Sequence, residues 1–317
     1  MRERPIGVFD SGLGGLTVLH AMADLLPAED LLYLGDTARY PYGDRDLEDL
    51  ERISLEVADA LVARGIKLLV VACNSATAAA LPALRAALDI PVVGVVEPGV
   101  RAAASASRTH RAVVIATRAT VTSGVYEEVA DRLDPGLAVR TVACPGLVEL
   151  VEEGQTSGPE ATAIVRDRLA PLLSARVDTL VLGCTHFPLL ARPISEVVGR
   201  DVTLVSSADE TAFEVRDLLS RLGWLRPEGG PPGRRRFLTT GDAATFSRLG
   251  ERFLGAHLGV VEQLDLPSPE HEATRRGVPP RSAAAAPSAA APSTTAASAT
   301  APVPAQTEAN RSSSAAR

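Results

Sequence analysis

The chain is predicted to be an α/β protein: two similar parallel-sheet domains related by pseudo-two-fold symmetry, with the active site in the cleft between them. Three features of the sequence predict it. Apolar runs without polar alternation recur along most of the chain and are separated by helical patterns, as expected of parallel strands covered on both faces. A strand ending in cysteine occurs twice, in LLVVACNSAT around Cys73 and in TLVLGCTHFPLL around Cys184. The strand VVIAT, ending at Thr117, stands to the second cysteine nearly as IGVFD before Ser11 stands to the first.

Taken in order, Pro5–Phe9 is an apolar strand that runs into the glycine-rich turn DSGLGG and a helix starting near Leu16. Leu31–Leu34 is the next strand, and Leu47–Arg64 carries a helical apolar stripe. Leu68–Ala72 and Pro91–Val95 read as buried strands, and the Pro-Gly pair in Glu97-Pro98-Gly99 predicts a hinge. Ala112–Ala116, Ala138–Val142, Thr179–Leu182 and Val202–Val205 continue the strand series, with a helix over Thr122–Leu133. Ala208–Leu222 has an amphipathic pattern, and RRRFLTTGDAATF adds one more strand and turn. The first domain is expected over residues 1–97 together with 209–266, and the second over 98–208. Residues 267–317, mainly Ala, Ser, Thr and Pro, are expected to be a disordered tail, since they offer little apolar area to offset ordering entropy.

Bulk composition narrows the function. A length of 317 residues suffices for two ordinary cores. A formal net charge of −7 argues against direct nucleic-acid binding, which needs a basic surface. No apolar run approaches the ~18 residues of a spanning helix, so no membrane partner is expected. MRERPIGVFD enters a strand at once with no apolar leader, and three cysteines do not make a disulfide framework, which together predict a cytoplasmic protein. Lys67 is the only lysine and, standing just before a buried strand, is expected at the surface. It is therefore a poor anchor for a pyridoxal Schiff base, and any α-proton chemistry is expected to need no cofactor. A zinc site built on the Cys-Thr-His turn would lack two further ligands, so no metal is expected.

Two thiols in matched settings suit the removal of a proton from one face of a carbon and its return to the other. A free cysteine titrates near ~8.5 and can serve as thiolate on one side and thiol on the other. Cys144, in VACPGLV, lacks polar company and is read as structural. His186 follows Cys184 closely enough to relay its proton, and Asp10 is a candidate partner for Cys73. The glycines of DSGLGG and the following helix N-terminus favour a carboxylate ligand. Tyr42 and Gly43 of YPYGDR offer backbone donors, and Asn74, Ser75, Thr117, Thr120 and Thr185 add neutral hydrogen-bonding groups.

The segments IGVFDSGLGGLTVL, YLGDTARYPYG, VVACNSATAAAL, PVVGVVEPG, CPGLVELVEEG, VLGCTHFPLL and FLTTGD, in this order, resemble glutamate racemase of the aspartate/glutamate racemase family over roughly residues 5–265. The resemblance implies a cofactor-independent, two-base interconversion of L- and D-glutamate that supplies peptidoglycan synthesis. It implies that Cys73 acts on the D-isomer and Cys184 on the L-isomer, assisted by Asp10 and His186, with Glu152 of VEEG as a further helper. Asp10, Ser11, Pro41, Tyr42, Gly43, Cys73, Asn74, Ser75, Thr117, Thr120, Cys184, Thr185 and His186 would hold substrate, and a homodimer is the expected assembly. Ser75 replaces the threonine common after Cys-Asn and keeps its hydroxyl. Aspartate racemases resemble the same fold but typically carry Cys-Thr-Glu at the second thiol, so His186 favours glutamate. Hydantoin racemases lack the YPYG and FDSGLGG context. A binding protein for an acidic amino acid would not depend on both thiols.

Overall fold

The computed structural model describes residues 1–172, 177–227, 229–255 and 257–266. The tail expected over 267–317 lies outside the described residues. Among the described residues, ten strands and eleven α-helices follow one another, mostly in alternation. The first series is β1 (Ile6–Asp10), α1 (Leu16–Leu25), β2 (Leu31–Gly35), α2 (Leu47–Val62), β3 (Leu68–Val71), α3 (Asn74–Ala87), β4 (Val92–Gly94) and α4 (Val96–Ala106). The second is β5 (Arg111–Ala116), α5 (Arg118–Ser123), α6 (Val125–Leu133), β6 (Ala138–Ala143), α7 (Leu147–Glu152), α8 (Gly158–Leu169), β7 (Thr179–Gly183), α9 (Ala191–Val198) and β8 (Thr203–Val205). The chain then returns through α10 (Ala208–Arg221), β9 (Arg235–Thr239), α11 (Ala243–Leu254) and β10 (Val261–Gln263).

All recorded strand pairings are parallel, in a six-stranded sheet of order β10-β9-β2-β1-β3-β4 and a four-stranded sheet of order β6-β5-β7-β8. The run β2-β1-β3-β4 in one matches β6-β5-β7-β8 in the other, which is the repeat that the paired cysteine strands predict. Cys73 follows β3 and Cys184 follows β7, the equivalent strands.

Alternate residues of each central strand feed separate cores, which explains why the strands read as continuous apolar runs. Leu68 and Val70 pack on one face of the six-stranded sheet, Leu69 and Val71 on the other. Val113 and Ile115 are divided from Val114 and Ala116 in the same way by the four-stranded sheet. Each of the buried valine, leucine and isoleucine side chains contributes about 1.5–3 kcal/mol before conformational entropy is counted.

Three local expectations are corrected. The helix expected over Thr122–Leu133 is broken at Gly124, whose φ of 67° ends α5 and opens α6. Glu97-Pro98-Gly99, expected as a break in the chain, lie instead at the start of α4. Proline fits a first helical turn, where its missing N–H leaves no hydrogen bond unmade. Lys67 is buried, not exposed. Its Nζ donates to Glu29 Oε2 at 2.6 Å, to the Arg2 carbonyl at 2.9 Å and to the Trp224 carbonyl at 3.0 Å, using all three ammonium hydrogens. The strand β10 had no periodic signal, being short and only partly buried.

Candidate active site

Parallel sheets bind ligands beyond the carboxyl ends of their strands, where the chain leaves each strand for its helix. Both sheets bring candidate side chains to such ends. Asp10 closes β1, Cys73 follows β3, Thr117 follows β5, Cys144 follows β6 and Cys184 follows β7. A narrow cavity of about 50 Å³ is lined by both Cys73 and Cys184. Its walls also include Ser11, Pro41, Tyr42, Gly43, Asn74, Ser75, Thr117, Thr185 and His186.

Asp10, Thr120 and Glu152 do not line that cavity; each stands behind a residue that does. Thr185 Oγ1 donates to Asp10 Oδ1 at 3.3 Å, and the Gly12 N–H donates to Asp10 Oδ2 at 3.0 Å. Thr120 Oγ1 is 3.3 Å from Ser75 Oγ and 3.2 Å from Thr117 Oγ1, while Ser75 and Thr117 lie 2.8 Å apart. The Ser75 hydroxyl thus completes a three-hydroxyl cluster with Thr117 and Thr120. Glu152 Oε1 lies 3.0 Å from His186 Nε2, and His186 Nδ1 lies 3.8 Å from Cys184 Sγ.

The two thiols sit in different electrostatic settings. Cys73 occupies the N-cap of α3 and is buried; burial and the neighbouring Asp10 carboxylate push its thiol up to about 12, against smaller opposing contributions from the Ala76 N–H and Ser11. A thiol raised this far is protonated at neutral pH. Burial lowers the basicity of His186, but hydrogen bonds to Cys184 and Glu152 and the nearby Asp10 charge outweigh it and raise the imidazole to about 10. An imidazolium beside the Cys184 sulfur is placed to stabilise negative charge there. Asp10 is itself shifted upward, because burial exceeds the favourable effects of His186, the Gly12 and Gly15 N–H groups and Thr185.

The glycine-rich turn serves close approach. A Cβ on Gly14 would lie 2.5 Å from His186 Nδ1 and still closer to Thr185 Oγ1. Backbone of the six-stranded sheet's first turn is thus pressed against the residues that follow Cys184.

Cys144, expected to be structural, also reaches the cavity wall, with Pro145, Gly146, Val148 and Glu149. Its position just after β6, equivalent to a place after β2, was the missed signal. Tyr40, Asp44 and Arg118 complete the lining. Tyr40 was overlooked beside the more recognisable Pro41-Tyr42-Gly43; its ring centroid stands 6.4 Å from that of His186. Among the described residues, no group of three or more His, Cys, Asp or Glu is placed to hold a metal ion, and no helix is long and apolar enough to cross a membrane.

Residues 6–215 match the model of the family described as Asp/Glu/Hydantoin racemase. The chain is 53% identical over 272 residues to a glutamate racemase of Beutenbergia cavernae, an alignment covering 82% of this chain and 93% of the relative. Its structure resembles that of a glutamate racemase isoform from Bacillus anthracis, with a TM-score of 0.81 and 42% identity over 84% of this chain and 99% of the other. A glutamate racemase from Francisella tularensis, solved in complex with D-glutamate, superposes with a TM-score of 0.77 at 30% identity, covering 84% of this chain and 98% of that one. With matched sheets, paired cysteines and these relatives, the chain belongs to the Asp/Glu/hydantoin racemase family and is an amino-acid racemase of its glutamate racemase group.

Proposed function

We propose that the chain interconverts L- and D-glutamate by a two-base reaction, with Cys73 and Cys184 on opposite faces of Cα. The observation that carries this reading is that both thiols line one cavity from equivalent positions in topologically matched sheets. In one direction the Cys184 thiolate takes the α-proton of L-glutamate and becomes a thiol. The electron pair left on Cα takes a proton from the Cys73 thiol on the opposite face, giving D-glutamate and a Cys73 thiolate. The reverse direction begins from that state, so the net change per turnover is one proton moved between sulfurs. Exchange with solvent resets it.

The carbanion-like charge that develops beside the α-carboxylate sets the main demand on the site. Neutral donors answer it here: the N-terminal N–H groups of α3, Asn74, and the Ser75 and Thr117 hydroxyls, which Thr120 backs from behind the wall. His186, held by Glu152, stands against the Cys184 sulfur, while Asp10 stands near Cys73 as its proton partner. D-Glutamate bound to the Francisella tularensis relative supports glutamate as substrate. We place the reaction in the cytoplasm, which suits three free cysteines, with the D-glutamate product consumed in peptidoglycan assembly and a homodimer as the working species. Mass measurement in solution tests that assembly.

Incubating the purified protein separately with L-glutamate, D-glutamate and L-aspartate, without added cofactor, tests the substrate. Loss of optical rotation from either glutamate isomer, with aspartate turned over far more slowly, is the expected result. Faster racemisation of aspartate, or dependence on added pyridoxal phosphate, would overturn the reading.

A further inference from the structure

The residue after each of Cys73 and Cys184 is held from the other sheet's elements. Thr185, next to Cys184, donates to Asp10 at the end of β1. Asn74, next to Cys73, accepts at Oδ1 a 2.7 Å hydrogen bond from the hydroxyl of Tyr126 on α6. Asp10 belongs to the proposed proton machinery, but Tyr126 does not. It is fully buried, its ring packs in the core with Val96, Val100 and Val129, and it does not line the cavity.

An asparagine amide has one accepting end and one donating end, and rotation by half a turn exchanges them. With the Tyr126 hydroxyl donating to Oδ1, the oxygen end of Asn74 is occupied and Nδ2 keeps two N–H groups for other partners. Asn74 lines the cavity, so these are the groups a carboxylate needs. The reversed amide would present an oxygen to the same anion. Burial, and to a lesser degree the Cys184 charge, raise the Tyr126 phenol above its ordinary value, so it stays protonated as a donor.

We propose that Tyr126 is a positioning residue: its hydroxyl fixes the orientation of the Asn74 amide so that the amide N–H groups face the substrate carboxylate. This rests on the glutamate reading above. Because the hydroxyl reaches Asn74 across the two sheets, it also ties the residue beside Cys73 to the framework that carries Cys184.

The test is a double-mutant cycle on the full chain, with KM and kcat measured in both directions for wild type, Tyr126→Phe, Asn74→Ala and the double variant. Losing one buried hydrogen bond that orients a donor should raise KM about ten-fold for both isomers in Tyr126→Phe, with kcat changed less than about three-fold. The double variant should match Asn74→Ala alone, because both substitutions remove the same oriented donor. A purely structural tyrosine would lower the melting temperature and leave KM unchanged; that result, or KM penalties that multiply in the double variant, would overturn the proposal. Should Tyr126→Phe fail to fold, Tyr126→Met, which also removes the hydroxyl, decides by the same criterion: a KM about ten-fold higher supports the proposal and an unchanged KM contradicts it. Wild-type protein inert toward glutamate but active on another amino acid faults the substrate reading instead, and the same cycle is then run on that acid.

Discussion

His186 sets the electrostatics of the site at the scale of single residues. Its imidazole is raised from the ordinary 6.5 to about 10 despite burial, through its bonds to Cys184 and Glu152. A raised basic group stabilises the fold fully below its unfolded value, and that stabilisation is lost as pH rises through about 10. Glu152→Gln removes the charged acceptor, so the alkaline limb of the pH–rate profile should move to lower pH by about one unit or more. An unshifted limb would mean that Glu152 does not hold the imidazolium. Asp10 is shifted upward as well, so its contribution also falls as pH rises, but here the charged form is the one the fold penalises. Its upward shift means that its buried charge destabilises the fold above the unfolded carboxyl value, near 3.8. Asp10→Asn should therefore raise the melting temperature at pH 7 by roughly 2 °C while slowing racemisation, and a lower melting temperature would contradict that balance. Cys73 and Cys184 were legible in the sequence because strand-end cysteines were repeated in matched strings. Cys144 and Tyr126 were not, since one sits among apolar neighbours and the other acts on Asn74 52 positions earlier.

Elements carry these residues to one place, and the turn between β1 and α1 shows how closely. Gly14 lies where any side chain would collide with Thr185 and His186. Gly14→Ala should leave strand and helix content unchanged by circular dichroism yet reduce kcat/KM about 100-fold, because displacing the Cys184 turn spoils its alignment. Near-normal activity would show that the turn yields freely. Strands of the central series were readable from apolar runs because both faces of each are buried, as the division of Leu68 and Val70 from Leu69 and Val71 demonstrates. Breaks were harder to place. Gly124 looks like an ordinary residue inside a helical pattern until its positive φ divides α5 from α6.

For the whole molecule, stability and chemistry sit at opposite ends of the strands. Lys67 precedes β3 and joins the N-terminal segment, the turn before β2 and the segment after α10, whereas Cys73 follows the same strand. The sequence could not reveal this clasp, because Glu29 and Trp224 are remote along the chain. Lys67→Met leaves the Glu29 carboxylate buried without its cation, a loss of about 3–5 kcal/mol and roughly 10 °C in melting temperature. Scanning calorimetry checks this, and kcat at low temperature should stay close to wild type; an unchanged melting temperature would show that the pair is dispensable.

Early-time deuterium incorporation is the most direct test of two thiols working on opposite faces. In D2O, L-glutamate should yield D-glutamate carrying deuterium at Cα, while the unreacted L-glutamate keeps its protium; the mirror experiment should give the mirror result. Cys73→Ala and Cys184→Ala, each folded, should both lose full interconversion. Deuterium appearing equally in substrate and product, or either single variant racemising at near wild-type rate, would show that one base serves both faces and would contradict the account.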